Sequence, residues 1–129
     1  KKTRAYNFKY LYKFFSLYED FFVLPKQNPQ ISTQWLAFPL IIKETSPFSR
    51  LQLVEFLEKS NIQTRPIFTG NILRQPGFRK IKHKGLKQEY PVTETIMRQG
   101  FVIGCHHGLT EKHLQKIEEV FTTFLKKYI

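Results

Sequence analysis

The sequence predicts a two-layer α/β (α+β) fold, a small sheet of about three strands covered by helices. Three observations carry this. Apolar residues at helical spacing alternate along the chain with short aromatic or branched runs bounded by Pro and Gly. The length, 129 residues, suits one core. The hydrophobic fraction of 41%, with 13 Phe and 6 Tyr, excludes a disordered tail. No apolar run approaches the roughly 20 residues that a membrane-spanning helix needs.

Over residues 6–24, Phe8, Leu11, Phe14, Phe15, Tyr18, Phe21 and Phe22 recur at three- and four-residue steps, which predicts the first helix. Thr3 or Asn7 is placed to cap it, and Pro25 to end it. Its aromatic residues fall on more than one side, so it is expected to pack against more than this chain contains. Residues 26–33, with Asn28 and Pro29, read as a loop. Residues 35–43 are a strand, too short for a helix around Pro39, and Pro39 belongs at an edge or bulge. Ser49 and Gln52 fit a capping box, with Phe48 and Leu53 as its hydrophobic staple. The second helix therefore buries Leu53, Val54, Phe56 and Leu57 and closes at Ser60-Asn61.

A second strand spans residues 62–68, broken by Pro66, and leads into the turn Thr69-Gly70-Asn71. Thr93 is placed to cap a short helix running to Arg98, with Gly100 as its stop. A third strand follows at 101–105. Thr110 opens the last helix, whose stripe is Leu114, Ile117, Phe121, Phe124 and Leu125, with Leu109 and Leu114 as a second staple.

Lys+Arg 21 against Asp+Glu 10 gives a net charge of +11, a field that attracts phosphates. The excess is local: Arg74, Arg79, Lys80, Lys82, Lys84 and Lys87 meet no acid until Glu89. A solvated loop is the plain interpretation, and an anion-facing loop the functional one. The chain starts Lys1-Lys2-Thr3-Arg4, and Met97 is its sole methionine, so the beginning reads as a cut end. One cysteine, Cys105, makes no internal disulfide, and a reducing, cytoplasmic setting is the default.

Cys105-His106-His107 invites a zinc or reactive-thiol reading. Neighbouring strand residues point to opposite faces, however, and no second Cys supports a metal, so no metal site is expected. Cys105 should pack at a strand end and the histidines occupy a polar turn. Walker, dinucleotide-binding and Gly-x-Ser-x-Gly patterns are absent. The most informative stretch is 64–76. There Arg65, Asn71 and Arg74 are placed to converge on a carboxylate or phosphate, although Arg65 and Arg74 could equally make salt bridges while Asn71 serves the turn.

Several stretches together resemble the C-terminal small domain of DegT/DnrJ-type sugar aminotransferases, nearest to the nucleotide-linked 4-keto-6-deoxyhexose 3-dehydratases. They are residues 35–39, Ser46-Pro47-Phe48-Ser49-Arg50, residues 62–65, Gly70-Asn71 with Arg74-Gln75-Pro76, and Gly104 through His107-Gly108-Leu109-Thr110. The resemblance implies the small domain of a fold-type-I enzyme using pyridoxal or pyridoxamine phosphate (PLP or PMP). Residues 1–25 would lead from a missing large domain, and 26–129 would form the small α/β domain. The full-length parent would be a cytoplasmic homodimer, acting on a nucleotide-linked keto-deoxysugar with an amino-acid donor, in deoxysugar and lipopolysaccharide or O-antigen biosynthesis. The base and cofactor anchor would lie in the large domain, so this chain alone would bind no cofactor and be inactive. Arg65, Asn71, Arg74 and Gln75 would face substrate, with His106 and His107 as a further cleft turn. An aminotransferase is the near alternative, decided by Lys or His at the cofactor position. A basic nucleic-acid-binding module and a docking domain using the aromatic face of residues 6–22 are the readings of other classes; most aromatic residues repeat at helical spacing, which disfavours nucleic-acid stacking.

Overall fold

The computed structural model of the chain describes residues 1–78, 80–82 and 90–129. Along it run α1 (Lys2–Phe15), β1 (Phe22–Val23), β2 (Ala37–Ile42), α2 (Arg50–Lys59), β3 (Thr64–Pro66), α3 (Pro91–Gln99), β4 (Gly100–Gly104) and α4 (Glu111–Leu125). Single 3-10 turns occupy Ser16–Tyr18, Ile72–Arg74 and Pro76–Phe78. All strand pairs are antiparallel, in the order β1-β2-β4-β3. The α+β layering follows the sequence expectation, with β1 as an additional strand.

That strand corrects the expected first helix. α1 stops at Phe15, and Phe22 instead pairs with Ile42 in the sheet. Buried there, the Phe22 ring meets Phe15, Phe48 and Phe121 at centroid distances of 5.7, 6.1 and 6.4 Å. Spacing alone cannot separate such a short strand from a continued helical stripe, because tertiary packing decides it. Pro25 therefore lies beyond β1 and ends no helix. Neither Thr3 nor Asn7 caps α1. Lys1 precedes the first turn without a side-chain cap. Asn7 lies inside the helix, buried, and donates through Nδ2 to the His106 carbonyl at 2.8 Å.

Alternation along the strands sorts the sheet into two faces. Phe38, Leu40 and Ile42 of β2 and Phe101 and Ile103 of β4 point into one buried cluster with residues of α1, α2 and α4. Ala37, Pro39, Ile41, Val102 and Gly104, on the other face, are only half-buried. Pro39 pairs with Val102 on the β4 side, while β1 reaches only Ile42 and Ile41. Its missing N–H thus falls where β2 has no second ladder partner among the described residues, as an edge proline requires.

α2 shows its capping box in full: Gln52 N–H donates to Ser49 Oγ at 3.2 Å, and Ser49 N–H to Gln52 Oε1 at 2.7 Å. At the other end the Asn61 N–H reaches the Glu58 carbonyl and the Ile62 N–H the Leu57 carbonyl, at 3.0 and 2.9 Å. With Asn61 at φ 59 and Leu57 and Ile62 both buried, this is a Schellman closure. α3 begins differently from expectation. Tyr90 precedes it and Pro91 sits at its first position, where a missing N–H costs nothing, so Thr93 is already inside the helix. α3 runs straight into β4 at Gly100, where a Cβ would lie 2.5 Å from the Ile96 carbonyl oxygen. No residue of α3 enters the apolar cluster.

Candidate functional site

β3 is the sheet edge away from β1, and its Pro66 cannot extend the ladder. The chain then folds into a compact turn over residues 67–78. Phe68, at φ 49, is 93% exposed, and Gly70 has φ 65. Glycine is demanded twice at position 70, by the left-handed backbone and because a Cβ there would lie 2.3 Å from Met97 Cγ.

Asn71 is buried and fully engaged. Its N–H donates to Met97 Sδ at 3.4 Å, its Oδ1 accepts from the Leu73 N–H at 3.0 Å, and its Nδ2 donates to Glu94 Oε1 at 2.5 Å. Arg74 Nε donates to the same oxygen at 2.8 Å. Asn71 and Arg74 thus meet on the protein's own Glu94 carboxylate, which is the salt-bridge alternative for Arg74 and the turn-supporting one for Asn71. The hydrogen bonds from Arg74 and then Asn71 hold the Glu94 carboxyl below the usual carboxylate range, against the opposing effect of its burial. Gln75 folds back, its Nε2 donating to the Thr69 carbonyl at 2.9 Å. Sequence reading did not single out Glu94 or Met97 as site residues. The available signal was composition, since between Glu58 and Glu111 the only acids are Glu89 and Glu94.

Arg74 lines a polar cleft of about 360 Å³ with Glu44, Pro91, Glu94, Thr95 and Arg98. Arg65 is exposed and lines another, of about 250 Å³, with Arg50, Leu51, Val54, Pro66 and Phe101. Arg65 pairs with Val102 in register, on the half-buried side of the sheet, and its guanidinium hydrogen-bonds to none of the described residues. Arg50 is spoken for, its Nη1 donating to the Met97 and Gly100 carbonyls at 3.0 Å each. The two predicted arginines thus border separate clefts on the β3 side of the molecule.

His106 and His107 are exposed in the turn after β4. His106 Nδ1 accepts from the Gly108 N–H at 3.1 Å, and the ring borders a cleft of about 230 Å³ with Asn61, Gln63, Leu109, His113 and Lys116. Burial pushes the Cys105 thiol up to about 11, so at neutral pH it is not a thiolate nucleophile. Among the described residues no three His, Cys, Asp or Glu side chains gather as metal ligands, and no helix is long and apolar enough to cross a membrane. Lys80 and Lys82 are exposed; Arg79, His83, Lys84 and Lys87 lie outside the described residues.

The model of the DegT/DnrJ/EryC1/StrS aminotransferase family matches residues 1–122. The lipopolysaccharide biosynthesis protein RfbH of Salmonella typhimurium is 38% identical over 123 residues, which is 95% of this chain and 28% of that protein. A mutant of GDP-4-keto-6-deoxymannose-3-dehydratase (ColD), solved with bound GDP-perosamine, superposes with a TM-score of 0.77 at 25% identity, covering 92% of this chain and 30% of that one. The corresponding dehydratase of Escherichia coli, solved with bound hydrated PLP, gives 0.73 at 26% identity over 92% of this chain and 30% of that one. The chain thus spans less than a third of the length of these proteins.

Proposed function

Because the chain belongs to the DegT/DnrJ/EryC1/StrS aminotransferase family, we propose that it is the C-terminal small domain of a nucleotide-sugar 3-dehydratase. In this reading residues 1–25 lead from a large domain, and residues 26–129 close over the substrate cleft. The longer enzyme would be a cytoplasmic homodimer in deoxysugar and lipopolysaccharide biosynthesis, using PLP or PMP and an amino-acid donor. The observation that carries the reading is the 38% identity to RfbH over 95% of the chain. The similarity to a dehydratase solved with a GDP-sugar supports the substrate class. A sugar aminotransferase is the second reading, favoured by the family's own description.

In this reading none of the described residues anchors the cofactor. A lysine that makes a Schiff base is normally desolvated, whereas the described lysines are exposed, apart from the half-buried Lys43. The cofactor would be held by the part of the protein outside this chain, and no chemical step is assigned to residues within it. Their part is binding. Arg65 and Arg74 supply cationic donors to phosphate or carboxylate oxygens, Gln75 a half-buried amide already tied to the Thr69 carbonyl, and Asn71 supports the turn from beneath. The turn carrying His106 and His107 borders a cleft of its own, beside Asn61 and His113.

The test is kinetic and uses the longer protein. Purified, it should show the absorbance of a vitamin-B6 cofactor, and Arg65→Ala and Arg74→Ala should each raise KM for the nucleotide-linked keto-sugar or the amino donor by about tenfold or more. Absence of the cofactor spectrum would remove the enzyme reading. Unchanged kinetics with both substrates would make the arginines structural.

A further inference from the structure

Glu94 is 9% exposed, while the side chain of Arg74, which it contacts, is 53% exposed. The acid is the inner member of the pair and the cation the outer one. Glu94 and Met97 lie three residues apart on α3, hence on one face of the helix. Both meet the turn: Met97 through Asn71 N–H and the close approach to Gly70, Glu94 through Asn71 Nδ2 and Arg74 Nε. Nε lies in the plane of the guanidinium group, so a bond to it fixes that plane as well as the side chain's position. The bond between Asn71 and the same oxygen fixes the carboxylate in turn. Exposed ion pairs of freely moving side chains contribute little. This one is tied to a buried amide, and its cation borders the cleft.

We propose that Glu94 is a positioning residue for ligand binding by Arg74, setting the orientation in which the guanidinium meets an anionic group of substrate. The inference rests on the reading of Arg74 as substrate-facing. Its ligand chemistry is a pair of anionic oxygens, supplied by a diphosphate or by an amino-acid carboxylate.

A double-mutant cycle in the longer protein tests it, with KM and kcat measured separately for the nucleotide-linked keto-sugar and the amino donor. Glu94→Gln keeps an oxygen for Asn71 but loses the charge that holds Arg74. It should raise KM for one of the two substrates about tenfold, with a smaller change in kcat. Arg74→Ala should raise KM for the same substrate, and the double variant should be no worse than Arg74→Ala alone. Glu55→Gln, an exposed carboxylate on α2, controls for loss of one negative charge and should leave both KM values unchanged. An unchanged KM in Glu94→Gln alongside an impaired Arg74→Ala overturns the positioning role while leaving Arg74 at the substrate. Losses that multiply in the double variant also overturn it, because Glu94 would then act independently of Arg74. An unchanged Arg74→Ala removes both the reading of Arg74 and this inference. Should Glu94→Gln lower the thermal midpoint by more than about 4 °C, Glu94→Asp replaces it under the same criteria.

Discussion

The two sides of this sheet are held together by different physics. On the core side, the Phe15 ring meets Phe22, Phe38 and Phe121 at 5.7, 5.3 and 4.8 Å, and Phe48 meets Phe124 and Tyr128 at 5.1 Å each. These contacts are numerous and weakly directional, so many neighbours share the task of holding each ring. On the side of α3 and the turn, the described order depends on directional contacts, the Arg50 bonds to the Met97 and Gly100 carbonyls among them. One carboxylate oxygen takes two donors, a thioether takes a third, and left-handed residues sit at 68 and 70. Directional contacts fix orientation more than they add stability, which suits the binding role proposed for this face.

The largest expected effect lies on the core side. Phe15→Ala removes a fully buried ring and should destabilise the folded protein by ~3–5 kcal/mol. Chemical denaturation of the longer protein measures it, and the folded fraction should retain ordinary KM values. A loss below about 1 kcal/mol would mean that the aromatic cluster is not where the stability lies. Gly70→Ala comes next. It imposes a left-handed alanine and drives a Cβ toward Met97, a combined strain of about 1–3 kcal/mol. Here the comparison predicts a selective signature: KM should rise beyond what the loss of stability explains, because Asn71 and Arg74 shift with the turn. An unaltered KM in the Gly70→Ala variant would show that the turn's shape is irrelevant to binding.

Legibility in the sequence followed the same division. The start of α2 could be read because Ser49 and Gln52 satisfy each other within four residues, and its end because Asn61 adopts a conformation that asparagine tolerates. β2 and β4 could be read from branched and aromatic runs bounded by Pro or Gly. The end of α1 could not, since no breaker stands at Phe15 and the decision belongs to Phe22 finding a place on Ile42. Arg65, Asn71 and Arg74 drew notice as residue types, and Gln75 through the family resemblance. What joins two of them was hidden, because Glu94 follows Asn71 by 23 positions and looks like an ordinary acid in a helix's first turns. Nor could the sequence separate Arg65 from Arg74, whose different clefts follow from the turn of the chain after Pro66.

The smallest effect concerns the tie between α2 and β3, where the two regimes meet. Glu58 Oε1 accepts from Thr64 Oγ1 at 2.7 Å and from the Thr64 N–H at 2.6 Å. An acid near a helix C-terminus faces an unfavourable dipole, so its place there depends on those two donors. The Thr64 hydroxyl first, then the Thr64 N–H, hold its carboxyl below the usual range, with the nearby Arg65 adding to them. A carboxyl whose folded value is depressed stabilises the fold above its unfolded value, about 4.3. That contribution is lost as the pH falls through the folded value. Wild type should therefore be slightly more stable than Glu58→Gln at neutral pH, by a gap that stays constant down to about pH 5 and closes below it. The glutamine side chain of that variant still offers Thr64 a carbonyl oxygen, which keeps the gap small. Paired denaturation curves between neutral and strongly acid pH measure it, and a gap that widens on acidification would show that Thr64 does not stabilise the charged form.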